Sequence, residues 1–420
     1  MGEAYSPIVI RKTNLLPECI WPEISPLFII MFPITELRVT MGTKTIKQHI
    51  LPASSLGNAR TLTVIRYGDQ TAGNKVYIQA GLHANEAPGF LVIHHLINLL
   101  DEADAANKID AQILLVPVAN PIGISQWRDE RLQGRFDFFD SINFNRRHLD
   151  ITAQIADRVK NRLQDTPREN VALIRKTTGQ VLGSTAPRDE AAYLKHLLLT
   201  LAHDADVVLD LHCDDQAVVH VYLGTPLWPD AADLSAQLGA EVTLLAEDSG
   251  VTPFDEACSR IWWNLAEKYP DFPIPSACLA ATVELRGITD VSHARGAQDA
   301  GNIFLFLQRR GFIQGAAPAV PALRNEATPL RGVEHIKAQA PGVVVFLKKP
   351  GDRIAKGEVI AEIVNPLKDE MENRITRVKS GIEGLLFSIN TDRYARPGRI
   401  LAKIAGKVPL KDKGENLLTS

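Results

Sequence analysis

The 420-residue sequence is poor in several features that would fix a class at sight. Its four cysteines, Cys19, Cys213, Cys258 and Cys278, are scattered and form no CxxC pair. A reducing compartment with free thiols is therefore expected. No apolar run approaches the ~18 residues of a membrane span. The longest N-terminal one, Leu27–Phe32, is short, bracketed by Pro26 and Pro33, and lacks a secretory cleavage pattern. With a net charge of −3, no basic stripe and no acidic tail, nothing points to nucleic acid or a membrane surface as partner. Met1–Ser6 fits the loose myristoylation pattern, which is read as a chance match. A cytoplasmic protein is expected.

What is present is an ordinary globular composition, 45% hydrophobic and 23% charged, at a length that suggests two domains or three. Residues 1–35 are punctuated by proline and read as a surface extension. Leu37–Thr40, Thr45–Leu51 and Thr61–Ile65 carry strand patterning and read as edge strands. Apolar runs at Val76–Ala80, Ile113–Val118, Val207–Leu211, Val218–Leu223 and Ala277–Leu285 read as further strands. Helical spacing marks 90–100, 188–205 and 297–310, the last stopped by Gly311. Strands alternating with helices argue for an α/β domain with a mostly parallel sheet, spanning 36–314. Residues 315–337, beginning Gly315-Ala316-Ala317-Pro318, read as a linker. From 338 to 408, short evenly spaced strands with turns at Pro350-Gly351 and Pro397-Gly398 indicate a small all-β module, followed by a tail, 409–420.

The chemistry gathers at strand ends. His83 and Glu86 lie on the loop Gly81–Gly89, between a strand and a helix whose first turn accepts Pro88. Open α/β sheets place their sites at that edge. An imidazole and a carboxylate three residues apart can reach one metal ion. His212 follows another apolar strand, and Glu284 lies near the end of a third. Two histidines and a glutamate make the three-ligand set of a catalytic zinc site, and a carboxylate that is not a ligand can shuttle a proton. Residues 124–150 form a long loop without period, of the kind that is usually functional or disordered. It holds Arg128, Arg131, Arg135 and the run Asn143–Arg146.

The pieces Gly81–Glu86, Asn145-Arg146, Asp210-Leu211-His212 and Val283–Arg286 together resemble the succinylglutamate desuccinylase/aspartoacylase family of the zinc carboxypeptidase superfamily, over about residues 75–310. The resemblance implies a mixed central sheet flanked by helices and one Zn2+ per chain held by His83, Glu86 and His212. It implies Glu284 as general base and then acid, with Asn145 and Arg146 anchoring a substrate carboxylate. It also implies an arginine that polarises the scissile carbonyl, for which Arg135 is the best candidate and Arg128 and Arg131 are alternatives. One position departs: the family carries Asp two residues before the Asn-Arg pair, and this chain has Asn143, which can still accept from an imidazole N–H. Asp140 would substitute were the loop shifted. The expected activity is a deacylase acting on a small N-acyl amino acid, with a peptide carboxypeptidase and a non-catalytic metal-binding protein as rival readings. A homo-oligomer is left open. Ala340–Val344, Pro350–Ile360 and Ser380–Gly384 resemble a biotinyl/lipoyl-like barrel. Neither Lys368 nor Lys379 sits in a carrier-lysine context, so an unmodified lid is expected.

Other residues read as structural. His94 and His95 are expected at packing or surface positions, and Cys213 is expected to be buried and inert. His220 and His293 are minor candidates for a substrate contact.

Overall fold

Hydrophobic periodicity and turn chemistry resolve into an α/β body and a β-rich C-terminal part in the computed structural model, which describes residues 42–369, 371–411 and 413–418. The expected extension, 1–35, and the strand at Leu37–Thr40 lie outside the described residues. In the first part the order is β1 (Thr45–Ile50), β2 (Thr61–Tyr67), β3 (Lys75–Ala80), α1 (Pro88–Ala105), β4 (Gln112–Val116), β5 (Trp127–Arg128), β6 (Arg131–Leu132), α2 (Thr152–Val159), α3 (Pro167–Gly183), α4 (Glu190–Ala202), β7 (Val207–Asp214), β8 (Gln216–Ala217), β9 (His220–Gly224), α5 (Ala232–Leu238), β10 (Val242–Ala246), α6 (Phe254–Lys268), β11 (Leu279–Gly287), α7 (His293–Arg309) and β12 (Thr328–Pro329).

Nine strands form one sheet in the order β1-β2-β4-β3-β7-β11-β9-β10-β12. The centre is parallel, β4 with β3, β3 with β7 and β7 with β11. The β1–β2, β2–β4 and β9–β11 pairs are antiparallel, so the sheet is mixed. Side chains alternate across it with the strand period of two. Val76, Ile78, Leu209 and Leu211 join one core with α1 and α7, while Tyr77 and Val208 join a second core with α2, α3, α4 and α6.

Helices α2, α3, α5 and α6 occupy stretches for which the sequence offered no clear stripe. On α3 the buried face mixes Ile174, Val181 and Leu182 with Asn170, Thr177 and Thr178, which breaks up the apolar signal.

The C-terminal strands are β13 (Val333–Lys337), β14 (Gly342–Phe346), β15 (Arg353–Ile354), β16 (Val359–Val364), β17 (Ile375–Lys379), β18 (Gly384–Ile389), β19 (Tyr394–Ala395) and β20 (Ile400–Ala405). They form two antiparallel sheets, β13-β20-β18-β15 and β17-β16-β14-β19, around a core that includes Val344, Ile360, Leu386 and Ile404. β18 also pairs with β8, Ser388 against Ala217 and Ile389 against Gln216. A mixed cluster of Val242, Leu244, Leu330, Phe387 and Leu417 packs beneath that junction.

Candidate metal centre and active site

The turn after β3 is built on Gly81, whose φ of +74° suits glycine and whose added Cβ would meet the Phe90 ring at 2.3 Å. The chain then turns tightly, Glu86 N–H donating to His83 O at 3.1 Å, and α1 begins at Pro88. Gly89 lets α1 approach β7, since a Cβ there would stand 3.1 Å from Leu211 O. His83 and Glu86 are thereby delivered, buried, to the carboxyl edge of the sheet.

His212 and Glu284 arrive by strand register. β7 and β11 pair Asp210 with Thr282 and His212 with Glu284, so these side chains share the Val208 face at the polar ends of the strands. Candidate ligand atoms of His83, Glu86 and His212 all lie within 4.8 Å of one another. Both imidazoles turn Nδ1 toward Glu86: His83 Nδ1 is 2.9 Å from Oε1, and His212 Nδ1 is 2.8 Å from Oε2. The opposite nitrogens are held from outside. Asn143 Oδ1 lies 2.7 Å from His83 Nε2, and Asp210 Oδ2 lies 2.9 Å from His212 Nε2. Asp210 is itself fixed in the core by Gln79 Nε2 at 3.0 Å, and Gln79 Oε1 accepts from Tyr77 Oη at 2.8 Å. Such outer partners set the tautomer and the ring orientation of a metal-binding histidine. An inward-facing His–Glu–His set fits the nitrogen and oxygen preference of zinc, with room for a further ligand.

The long loop supplies the remaining wall. Phe136 and Asn143 form an antiparallel bridge, and Asp137 N–H donates to Ile142 O at 2.9 Å. This local hairpin brings Arg135 beside Asn143, which absorbs the long sequence spacing between Arg135 and Asn145. Arg135 Nη1 donates to Glu86 Oε1 at 2.8 Å. Arg128 and Arg131 lie on the exposed β5–β6 hairpin and do not line the cavity. Asp140 accepts from Ile142 N–H in an exposed turn at 2.8 Å, away from His83. Asn145 Oδ1 accepts from Phe254 N–H at 2.8 Å, and its Nδ2 stands 3.3 Å from His212 Nε2. Arg146 is buried and donates to Asn145 O at 2.7 Å, while Lys195 Nζ supports Arg146 O at 2.7 Å.

His83, Arg135, Asn145, Arg146, His212 and Glu284 line one cavity of ≈70 Å³. Arg135, Cys213, Asp214 and Lys403 also border a neighbouring cavity of ≈530 Å³. Glu284 Oε2 is buried without a hydrogen-bond partner. Burial, with Glu86 adding to it, pushes the Glu284 carboxyl up to about 8. A divalent ion in the triad would oppose that shift. Burial also acts to raise Glu86, but His83 and His212 outweigh it and hold it well below the usual range. Burial and the neighbouring Arg135 lower His83 to about 4. Burial works against the charge of Arg135, yet Glu86, Glu284, Asp214 and Asp215 together raise its pKa. Arg146 is lowered to about 10, by burial first and then by Arg135.

Several participants had no signal that the sequence reading used. Asp210 was legible only as the alternate residue before His212. Asp255 and Glu256 open α6, line the cavity and each keep one buried oxygen unpartnered. Lys403 reaches in from β20 and donates to Asp214 Oδ2 at 2.6 Å, and His335 of β13 lines the same wall. Cys213 is buried and unpaired, and its N–H donates to Glu86 Oε2 at 3.0 Å. His220 is buried against Phe387, its Nδ1 bonded to Val218 O at 2.8 Å, and is not part of the cavity wall. His293 lies on the surface at the start of α7.

A mixed sheet with a buried His–Glu–His set at its carboxyl edge defines an aspartoacylase-like α/β protein with a candidate metal centre. Residues 72–265 match the family model of the succinylglutamate desuccinylase/aspartoacylase catalytic domain. A protein assigned to that family from Shewanella amazonensis SB2B has a similar structure, with a TM-score of 0.77, 25% identity, and 86% of this chain and 98% of that chain covered. A protein of the same assignment from Shewanella frigidimarina NCIMB 400 gives a TM-score of 0.77 and 24% identity over 87% of this chain and 98% of its own. The product-bound ectoine utilization protein EutE (DoeB) from Ruegeria pomeroyi shares the fold, with a TM-score of 0.61 and 15% identity over 89% of this chain and 98% of its own. No curated protein matches the chain. Among the described residues no helix is long and apolar enough to cross a membrane.

Proposed function

We propose that this chain is a zinc-dependent hydrolase that cleaves the amide bond of an N-acyl amino acid or a similar small carboxylate-bearing amide. The observation that carries the reading is the buried His83–Glu86–His212 set, with His83 and His212 lining one cavity together with Arg146 and with Glu284, whose Oε2 is buried without a partner. When bound by His83, Glu86 and His212, zinc supplies a Lewis acid that polarises a carbonyl and makes water acidic. Arg146 holds the substrate carboxylate, its planar fork matching two carboxylate oxygens, and Asn145 stands beside it. Glu284 takes a proton from the attacking water and returns it to the leaving nitrogen. Arg135, on the Glu86 side, stabilises negative charge on the carbonyl oxygen. Asn143 and Asp210 keep the two imidazoles in place.

The C-terminal strands act in this reading as an unmodified lid with a biotinyl/lipoyl-like arrangement. Leu330, Val333, His335 and Lys403 narrow the cavity, which favours small amides over the C-terminus of a long peptide. The free buried thiols Cys213, Cys258 and Cys278 suit a cytoplasmic location.

The test is a screen of N-acetyl, N-succinyl and N-aroyl amino acids against blocked dipeptides, with zinc supplied. Hydrolysis within the first group is expected. Dipeptide cleavage alone would transfer the assignment to a carboxypeptidase, and failure of every substrate by zinc-loaded protein would end the hydrolase reading. Glu284→Gln should keep its zinc and lose turnover; full activity would remove Glu284 from the chemistry.

A further inference from the structure

Outside the cavity described above, where α1 packs against α7, three histidines meet. His94 and His95 lie on α1, and His293 opens α7 after its Ser292 cap. His95 Nε2 stands 3.2 Å from His293 Nδ1, and those ring centroids are 5.3 Å apart. The His94 ring lies 5.0 Å from that of His95 and 6.3 Å from that of His293. The close pair follows from how the helices pack. Gly296, one turn into α7, admits α1 so closely that a Cβ there would be 2.9 Å from Leu91 Cγ and 3.0 Å from His95 Cδ2.

Two ring nitrogens at this distance share at most one proton between them, so at least one presents a lone pair. The distance also has a second meaning. With zinc–nitrogen bonds of about 2.0–2.1 Å, two nitrogens on one tetrahedral ion stand roughly 3.3 Å apart. His94 and His293 are exposed, and the His94 ring centroid lies 5.0 Å from that of His95, so a third nitrogen from His94 would require that side chain to turn toward the pair, with water completing the set. An ion bound there would be chelated by neutral imidazoles, a donor set suited to zinc, copper and nickel.

We propose that His94, His95 and His293 form a second, surface metal site that takes a borderline transition-metal ion such as zinc and clasps α1 to α7. The site is independent of the triad and of the proposed hydrolysis. Its position still gives it leverage, because α1 starts directly after His83 and Glu86 and α7 follows the strand that carries Glu284. An ion here ties together the two helices that follow these loops.

The experiment counts zinc bound per full-length chain after chelator treatment, zinc loading and desalting, by elemental analysis, for wild type, His95→Ala and His293→Ala. Circular dichroism confirms that the surface variants fold. Wild type should retain one more equivalent than either variant. Titration of the site should show zinc affinity falling at least tenfold when one histidine is removed, since loss of an outer-shell partner alone costs roughly 10–100-fold. Zinc should also raise the Tm of wild type more than that of His293→Ala. An unchanged zinc count in both variants overturns the proposal, whatever the total. A fall from one equivalent to none would uphold the surface site and remove the His83 centre instead, so the two assignments fail separately.

Discussion

At the scale of single residues, the candidate centre depends on groups one step removed from the ligands. Asn143 is the informative case. Its Oδ1 accepts from both His83 Nε2 and Asn145 N–H, so one side chain sets an imidazole and the backbone at Asn145. Asn143→Leu should weaken zinc binding by roughly 10–100-fold, measured by competition with a chromophoric chelator. Asn143→Asp should bind at least as tightly as wild type. Equal affinity in all three proteins would show that His83 needs no external orienter. His83, Glu86, His212 and Glu284 could be grouped from the sequence because each lies near the end of an apolar strand or on the loop that follows one. Asp210 was nearly legible, two residues before His212 and therefore on its face. Arg135 could be placed only by the local hairpin, since sequence distance does not measure distance across a bridge. Lys403 and His335 lie far along the chain, and nothing in their local context announces a cavity.

At the scale of elements, α6 carries the clearest pH signature. Its first turn places Asp255 and Glu256 at a helix N-terminus, where the dipole favours negative charge. Burial nevertheless raises Asp255 to about 6, with Asp210 adding to it, and Glu256 to about 8, with Asp255 adding to it. The folded state therefore binds these protons more tightly than the unfolded chain does. Stability from this source is present below the unfolded values near 4 and is lost as pH rises through the folded ones. Glu256→Gln should remove much of that loss. Relative to wild type, the metal-free variant should gain on the order of 1–3 kcal/mol between pH 5 and pH 9, read as a narrowing of the Tm difference across that range. A parallel pH dependence in both proteins would assign the effect elsewhere. The same helix shows where pattern reading stops, because its buried face includes Asp255, Glu256 and Ser259 among Phe254, Ile261 and Leu265. A stripe that is half polar does not stand out as a core face.

At the scale of the whole described molecule, the α/β body and the C-terminal strands are interlocked. Main-chain pairing joins β8 to β18, an apolar cluster spans the junction, and the Lys403–Asp214 ion pair crosses it. The sequence marks the change of texture near residue 338 but does not reveal that β12 and β13, in the stretch read as a linker, are strands of the two sheet systems. A chain cut after residue 337 should expose Val242, Leu244 and Leu330, bind a hydrophobic dye and aggregate. A soluble truncated protein with full hydrolytic rate would show that the strands beyond are dispensable.

The distances in sequence between His83, Glu86 and His212 have a kinetic meaning. His83 and Glu86 are neighbours, but His212 joins them only after β3 and β7 have paired across 126 positions from Glu86. In the unfolded chain such a set is scattered, and closing so long a loop must precede any ligand set. An ion can therefore not template this fold as it does a zinc finger. It would arrive after the sheet has closed, leave the refolding rate unchanged and slow unfolding alone. Metal loading would then lengthen the lifetime of the native state without helping a nascent chain to reach it.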